Sequence, residues 1–222
     1  MKKFSIAIDG PAGAGKSSIA KALAKNLGCI YIDTGAMYRS VGLGAIKQGL
    51  DYQDEEAVSL LMPNLDIKLK MSEAGQQIYL NGHDVSAEIR NDEVAAAASK
   101  VATYGKVREA LVASQRMLQE ETSVVMDGRD IGTVVMPNAT LKIYLTASVN
   151  ERALRRFKEY ETKGIVADLA MLTEEIAARD KQDMQRKISP LRKADDAIEI
   201  DTTYMTIDEI VERIMALLQE RL

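Results

Sequence analysis

The strongest constraint on the fold is a glycine-rich segment at residues 10–17, with the sequence GPAGAGKS. It matches the pattern G-x-x-x-x-G-K-[S/T] at every fixed position, and it lies between a short apolar run and a helical pattern. Glycine permits the backbone angles that turn successive amides toward one point, and the first turn of a helix adds its dipole. The segment therefore predicts a phosphate-binding loop at the end of a buried strand.

Two side chains of this loop suit a nucleoside triphosphate, and ATP is the expected donor. Lys16 can reach the β- and γ-phosphates, and the hydroxyl of Ser17 can bind Mg²⁺. A glycine-rich turn that binds nothing is the alternative, and the complete match in this setting disfavours it. The residues predicted to hold the donor are Gly10, Pro11, Ala12, Gly13, Ala14, Gly15, Lys16, Ser17 and Ser18.

Short apolar runs alternate with long amphipathic stretches along much of the chain. This alternation is typical of an α/β fold in which a parallel sheet is flanked by helices. The predicted strands are residues 4–8, 29–32, 123–126, 141–145 and 197–200. The first predicted helix is residues 16–27, and Thr206 with Glu209 matches the capping box that begins a last helix.

The region at residues 37–104 does not follow this alternation. Two alternating runs predict a small antiparallel sheet, with turns near residues 74–75 and 81–82. We expect an α+β insert at 37–104 in a core formed by 1–36 and 105–222, with a short lid at about 152–166. The runs are residues 65–71 and 77–80, and the flanking helical patterns are 37–47, 53–61, 91–103 and 107–120.

Composition narrows the classes of function. The chain has 222 residues, of which 46% are hydrophobic and 28% charged, and its formal net charge of −4 argues against generic nucleic-acid binding. The single cysteine excludes an intrachain disulfide, and the single histidine argues against a metal site built from histidines.

The sequence also bears on the location of the protein. No stretch approaches the length of a membrane span, and the chain starts with a strand-like segment rather than a signal peptide. We expect a cytoplasmic protein that does not bind a membrane.

A second part of the phosphate site is predicted where the strand at 123–126 ends. Asp127 follows that strand directly, where a carboxylate can orient Mg²⁺ or its water ligands. Arg129 lies just beyond it, at the edge of the sheet where ligands bind in open α/β folds. A solvated turn arginine is the alternative for Arg129.

Two further sets of charged residues occur at helical spacing. Arg152, Arg155 and Arg156 share one predicted helix face, and Gly164 follows them closely. This arrangement suits a mobile flap that brings positive charge to the transferring phosphoryl group. The neighbouring glutamates favour the alternative, a solvated charged surface, for at least one of the three arginines. A second set, at positions 179, 183 and 186, lies on one predicted helix face. For that set, spacing alone leaves a surface salt-bridge ladder and a binding role equally open.

Taken together, these segments resemble the bacterial cytidylate kinases, of the nucleoside-monophosphate kinase family of P-loop proteins. The resemblance covers both ends of the chain, and its most diagnostic part is the string DTGAMYR at residues 33–39, which other P-loop kinases lack. The segments that carry it are residues 6–17, 31–39, 127–133, 179–180 and 201–203.

The resemblance implies a five-stranded parallel core, a short lid and an enlarged monophosphate-binding insert that contains the antiparallel sheet. It also assigns residues to the acceptor. Thr34 and Asp183 would hold the sugar hydroxyls, and Tyr38 would line the monophosphate site. Arg39 and Arg129 would hold the CMP phosphate. The residues implied to surround the cytosine are Ser99, Arg108 and Arg186, with Arg179 and Asp130 nearby.

The implied activity is transfer of the γ-phosphoryl group of ATP to CMP and dCMP, with Mg²⁺, in pyrimidine nucleotide metabolism. Arginine only donates hydrogen bonds, so it suits O2 and N3 of cytosine, whereas uracil carries a hydrogen at N3. An adenylate-kinase lid with metal-binding cysteines is excluded by the single cysteine, and the N-K-x-D motif of GTPases is absent. A P-loop protein that binds without turnover remains an alternative, and a monomer is expected.

Overall fold

The computed structural model describes residues 3–72, 75–120 and 122–222, and for residues 71, 72 and 75 it describes the backbone alone. The chain forms two compact units. The first consists of Met1–Cys29 and Ser123–Leu222, and the second of Ile30–Thr122. The predicted insert at 37–104 lies within the second unit, and the predicted division into domains stays a prediction.

The larger sheet has five strands, and the predicted parallel sheet is confirmed. Its strands are β1 (Ser5–Asp9), β2 (Ile30–Asp33), β6 (Val124–Gly128), β7 (Leu141–Thr146) and β8 (Ile198–Asp201). Their spatial order is β2-β6-β1-β7-β8. β1 pairs in parallel with β6 and with β7, and β7 pairs in parallel with β8. The predicted strand limits differ from the observed ones by no more than two residues at either end.

Helices flank the strands of the first unit. They are α1 (Lys16–Leu27), α6 (Val149–Thr162), α7 (Leu169–Gln185) and α8 (Ile207–Gln219), with a π-helical turn at Ile131–Val135. The limits of α1 match the prediction. The capping box of α8 is also confirmed, since the side chains of Thr206 and Glu209 each accept a hydrogen bond from the other residue's amide. Apolar side chains of α6 and α7 pack together around Ala153, Leu172 and Ile176.

The C-cap residue of α7 is one of the predicted acceptor residues. Arg179 and Asp183 lie in the helix, but Arg186 follows it with extended angles, φ −61° and ψ 143°. The amide of Leu191 donates to the carbonyl of Asp183 at 2.8 Å. Because that carbonyl would accept from residue 187 if the helix continued, the returning chain ends the helix. Arg186 is therefore the C-cap residue of α7. Its φ is still helical, so its Cβ keeps the direction that the predicted spacing of positions 179, 183 and 186 gives it, and the chain leaves the helix only after it.

The second unit combines helices with a small antiparallel sheet. Its elements are α2 (Thr34–Lys47), α3 (Glu55–Leu61), β3 (Ile67–Ser72), β4 (Gly75–Leu80), β5 (His83–Asp84), α4 (Asp92–Val101) and α5 (Gly105–Leu118), with 3-10 turns at Met62–Asn64 and Glu88–Arg90. The sheet order is β3-β4-β5, and both pairs are antiparallel, which confirms the predicted antiparallel sheet.

Turns and caps set the limits of these elements. Asn81 (φ 50°) and Gly82 (φ 82°) form the predicted tight turn, which leads into the unpredicted short strand β5. The predicted turn at 74–75 falls partly outside the described residues. α2 begins three residues before its predicted start because the side chain of Asp33 accepts from the amide of Ala36 at 2.8 Å and caps the helix.

Candidate active site

The phosphate loop connects β1 to α1, as predicted. A Cβ atom at Gly10 would lie 2.0 Å from the carbonyl oxygen of Leu145, so only glycine allows this close approach. Lys16 is 6% exposed, and its Nζ donates to the carbonyl of Pro11 at 2.7 Å. Burial, and then the positive charge of Arg129, hold the pKa of Lys16 well below its usual value. An anion beside Lys16 would favour its charged form.

The side chains of Ser17, in the first turn of α1, and Asp127, on β6, contact each other. Ser17 Oγ donates to Asp127 Oδ2 at 2.9 Å, and Asp127 is buried at the end of β6. Hydroxyl and carboxylate oxygens are ligands that suit Mg²⁺, which keeps several water molecules and takes few protein ligands. The two predicted metal ligands thus lie next to each other and fit that ion. Among the described ranges, no group of three or more His, Cys, Asp or Glu side chains could hold a metal.

An ion pair joins the end of β6 to α7. Arg129 Nε donates to Asp183 Oδ2 at 2.8 Å, and the carboxylate is largely buried. Burial raises the pKa of Asp183, but the charge and hydrogen bond of Arg129 and the charges of Arg179 and Arg186 together outweigh burial, so the pKa lies below its usual value. Three guanidinium groups, those of Arg129, Arg179 and Arg186, therefore act on the single carboxylate of Asp183.

A second ion pair lies beside the first. Arg186 Nη2 is 3.4 Å from Asp130 Oδ1, and both side chains are almost fully buried. Arg186 also donates to the carbonyl of Ser189. Arg186 is the C-cap residue of α7, about one turn after Asp183, and its positive charge lowers the pKa of Asp183. The structure thus brings together five of the predicted acceptor residues, which are Arg129, Asp130, Arg179, Asp183 and Arg186.

The three arginines of α6 have different surroundings. Arg152 is 3% exposed and donates to Asp180 Oδ2 at 2.6 Å and to the carbonyl of Ala12, in the phosphate loop, at 2.9 Å. Arg155 donates to Glu151 Oε1 and to both oxygen atoms of Thr202, and Arg156 donates to the hydroxyl of Tyr160.

Of these three arginines, Arg152 contacts the predicted donor-binding loop directly. Its main partner, Asp180, was not singled out from the sequence, and neither was Thr202, the partner of Arg155. The hydroxyl of Thr202 also donates to the carbonyl of Ala14 in the phosphate loop at 3.3 Å. The sequence signal available for both residues was their place in the segments at 179–180 and 201–203 that carry the family resemblance.

The segment DTGAMYR at residues 33–39, in the second unit, is held by hydrogen bonds to the side chain of Asp33. One carboxylate oxygen of Asp33 caps α2, and the other accepts from Arg39 Nη2 at 3.0 Å. The side-chain amide of Gln76, on β4, donates to the carbonyl of Tyr31 at 2.7 Å and accepts from the amide of Asp33 at 3.1 Å. Thr34 is buried at the first position of α2. The start of α2 is therefore fixed both by its own cap and by the small sheet.

Three other predicted acceptor residues lie on helices of the same unit. Arg108, on α5, is 3% exposed; its Nη1 donates to the carbonyl of Ala102 at 3.2 Å, and its Cζ lies 5.5 Å from the centre of the Tyr38 ring. Ser99 is half-buried on α4. The second unit thus carries the other five predicted acceptor residues, which are Thr34, Tyr38, Arg39, Ser99 and Arg108.

Known proteins resemble the chain along nearly its whole length. The family model for cytidylate kinase matches residues 6–220. A cytidylate kinase of Exiguobacterium sibiricum is 54% identical over 98% of this chain and 97% of its own. A cytidylate kinase of Bacillus subtilis is 50% identical over 99% and 98%. No helix in the described residues has the length and apolar character that crossing a membrane requires.

Solved structures of more distant proteins share the fold. A shikimate kinase of Acinetobacter baumannii superposes with a TM-score of 0.51 at 13% identity, covering 99% of this chain and 94% of that one. A gluconokinase of Sinorhizobium meliloti also has a TM-score of 0.51, at 14% identity with the same coverage. The phosphate loop, the Ser17–Asp127 pair and the near full-length matches lead to one conclusion: this chain belongs to the cytidylate kinase family.

Proposed function

We propose that the protein transfers the γ-phosphoryl group of ATP to CMP and dCMP, yielding ADP with CDP and dCDP. One observation supports this proposal above all. The first unit contains a complete phosphate loop, the Ser17–Asp127 pair and several arginines near Arg129. A phosphate loop explains donor binding, and guanidinium groups beside it suit a second phosphate.

The donor side uses the loop at residues 10–18. Its backbone amides surround the β-phosphate, and Lys16 contributes a buried charge to the β- and γ-phosphates. Ser17 and Asp127 would hold Mg²⁺, which when bound supplies positive charge to the phosphate oxygens. Arg152 already donates to the loop carbonyl of Ala12, so we assign it a place near the phosphate chain.

The acceptor side is assigned residue by residue. Arg39 and Arg129 bind the phosphate of CMP, and Thr34 and Asp183 bind the sugar. Arg39 retains a buried Nε–H without a hydrogen-bond partner among the described residues, and a phosphate oxygen would supply one. Tyr38 lines the phosphate site. The residues that we place around cytosine are Ser99, Arg108 and Arg186, with Arg179 and Asp130 beside them.

The protein accelerates the reaction mainly by alignment. Charge spreads over the oxygens of the transferring phosphoryl group, and fixed cations stabilise it without reorganising. Lys16, Arg129 and the α6 arginines at positions 152, 155 and 156 supply these cations. Holding both phosphates in line removes much of the entropy loss of bringing two anionic substrates together. We assign no general base.

The same proposal extends to the setting of the reaction. The partners are the two nucleotides, with no nucleic acid and no membrane surface, and the protein acts as a monomer in the cytoplasm within pyrimidine nucleotide metabolism. The sequence supports this setting through its net charge of −4 and its single cysteine, which leaves no intrachain disulfide to form.

A coupled assay of ADP release across four acceptors tests the proposal. CMP and dCMP should be phosphorylated fastest, UMP more slowly, and AMP least, because a site with arginine donors suits O2 and N3 of cytosine. A protein that binds ATP and CMP by calorimetry but releases no ADP would favour the alternative, a binding protein without turnover. Equal rates for all four acceptors would contradict the assignment of the base-reading residues.

A further inference from the structure

Asp9 is a buried carboxylate that the proposed reaction does not use. It lies at the last position of β1, directly before the phosphate loop, and is 4% exposed. Its two oxygens accept from the amides of Ile131 and Gly132, both at 2.7 Å. We propose that Asp9 is a positioning residue, which fixes the segment carrying Arg129 and Asp130 relative to the phosphate loop. This inference rests on the proposed function, in which Arg129 binds the acceptor phosphate.

Asp9 holds this segment from both ends. Its backbone pairs with Gly128 in the β1–β6 ladder, and its side chain binds the amides of residues 131 and 132. Only Arg129 and Asp130 lie between these attachment points. A single residue therefore closes a two-residue loop, and the position of both side chains depends on it.

Asp9 provides the cap that Asp130 does not make. The π-helical turn begins at Ile131, and the preceding residue, Asp130, makes no capping hydrogen bond with its side chain. An aspartate at this position commonly accepts from the first amides itself. Here Asp9 accepts from those amides, and Asp130 instead forms an ion pair with Arg186. The arrangement of the acceptor edge therefore depends on a capping residue that comes from another strand.

The space around the carboxylate supports a specific fit. A Cβ atom at Gly132 would lie 3.3 Å from Asp9 Oδ2 and 3.1 Å from Cδ of Lys142, so the absence of a side chain there admits the carboxylate. Burial raises the pKa of Asp9 to about 6, although the two amides and the charge of Lys16 favour ionisation, and Asp130 opposes it. The two amide hydrogen bonds hold the Asp9 carboxyl group in this buried place.

Asp9→Asn tests the inference because it keeps the volume but replaces one acceptor oxygen with a donor. Calorimetry should show the Kd for CMP increased about tenfold or more, while the Kd for MgATP changes less than about threefold. The matched control is Asp54→Asn, since Asp54 caps α3 through the amides of Glu56 and Ala57, at 3.0 and 3.1 Å, and has no place in the proposed site. This control should leave both Kd values unchanged.

A double-mutant cycle separates positioning from general stability. In an Arg129→Ala background, Asp9→Asn should weaken CMP binding by less than about twofold further, because the group that it positions is gone. A full additional loss, or equal losses for CMP and MgATP, would overturn the inference. If Asp9→Asn does not fold, Gly132→Ala, which crowds the same carboxylate, should give the same selective loss of CMP binding.

The cycle also distinguishes two kinds of failure. If Arg129→Ala weakens CMP binding and Asp9→Asn does not, the inference about Asp9 is wrong and the proposed function stands. If Arg129→Ala itself binds CMP normally, the assignment of the acceptor phosphate is wrong, and the inference falls with it.

Discussion

Arg152 and Asp180 form an ion pair in which Nη2 lies 2.6 Å from Oδ2 and both side chains are almost entirely shielded from solvent. The pair joins α6 to α7, and the same guanidinium reaches the phosphate loop through the carbonyl of Ala12. Removing one member of such a pair leaves a buried charge without compensation. The pair is therefore a place where stability and the binding site depend on the same side chains.

The first prediction concerns this pair. Asp180→Ala should lower the free energy of unfolding by about 3 kcal/mol, because it leaves the buried positive charge of Arg152 without its negative partner. Urea denaturation measures the change. Glu151→Ala is the matched control, since the pair of Glu151 with Arg155 is about one-third exposed and should contribute less than about 1 kcal/mol. Equal losses in both variants would contradict the prediction.

The second prediction concerns the phosphate loop. Lys16→Ala should abolish phosphoryl transfer while the protein remains folded, because it removes a charge from the β- and γ-phosphates. The variant also removes a buried ammonium group, so thermal melting should show no loss of stability. ADP release near the parent rate in a normally folded Lys16→Ala protein would refute the role of this lysine.

The third prediction separates the two substrates. Arg39→Ala and Arg129→Ala should each raise the KM for CMP far more than the KM for ATP, since both are placed on the acceptor phosphate. The loss of a charge-assisted hydrogen bond corresponds to about 1.5–3 kcal/mol. Steady-state kinetics with one substrate varied at a time measures the two values. A rise in the KM for ATP alone would place these arginines on the donor side.

The fourth prediction concerns the choice of base. Arg186→Ala should lower kcat/KM for CMP sharply and for UMP much less, reducing the preference about tenfold for each ~1.4 kcal/mol of discrimination lost. Asp183→Ala should impair both substrates together, because both carry the same sugar. The ion pair of Arg186 with Asp130 supplies a control: Asp130→Asn should retain more of the preference than Arg186→Ala. Equal proportional losses for CMP and UMP in Arg186→Ala would move base reading to Arg108 or Ser99.

The fifth prediction follows from the raised pKa of Asp9. Between pH 4 and 6 the folded protein keeps a proton on Asp9 that the unfolded chain releases, so rising pH favours unfolding over this range. The parent should therefore lose on the order of 3 kcal/mol relative to Asp9→Asn as pH increases from about 4 to above 6. Urea denaturation of both proteins across this range tests the difference. Parallel stability curves would contradict the raised pKa.

The parts of this protein that could be predicted from its sequence are those whose partners are close along the chain. The phosphate loop is one continuous segment, and α1 follows it directly, so the limits of that helix were predicted to the residue. The capping box of α8 spans residues 206–209 and was equally accessible. Local hydrogen bonds decide these features, and a sequence pattern records them.

The parts that could not be predicted depend on distant residues. The carboxylate of Asp9 binds amides 122 and 123 positions later, and nothing near Asp9 indicates them. The extended conformation of Arg186 depends on the returning amide of Leu191, which takes the carbonyl that a longer helix would need. Helical spacing predicts the direction of the Arg186 side chain, but it does not indicate that the chain leaves the helix directly after that residue.

The side-chain amide of Gln76 has a consequence for the outer strand of the larger sheet. β2 is first in the strand order, and the amide bonds to the carbonyl of Tyr31 and to the amide of Asp33, as a residue of an added parallel strand would. Unpaired groups at a sheet edge are a template on which other chains can assemble. The side chain of Gln76 thus bonds to two backbone groups of that edge, which are then not open to pairing with a strand of another chain. It does so without adding a strand to the sheet.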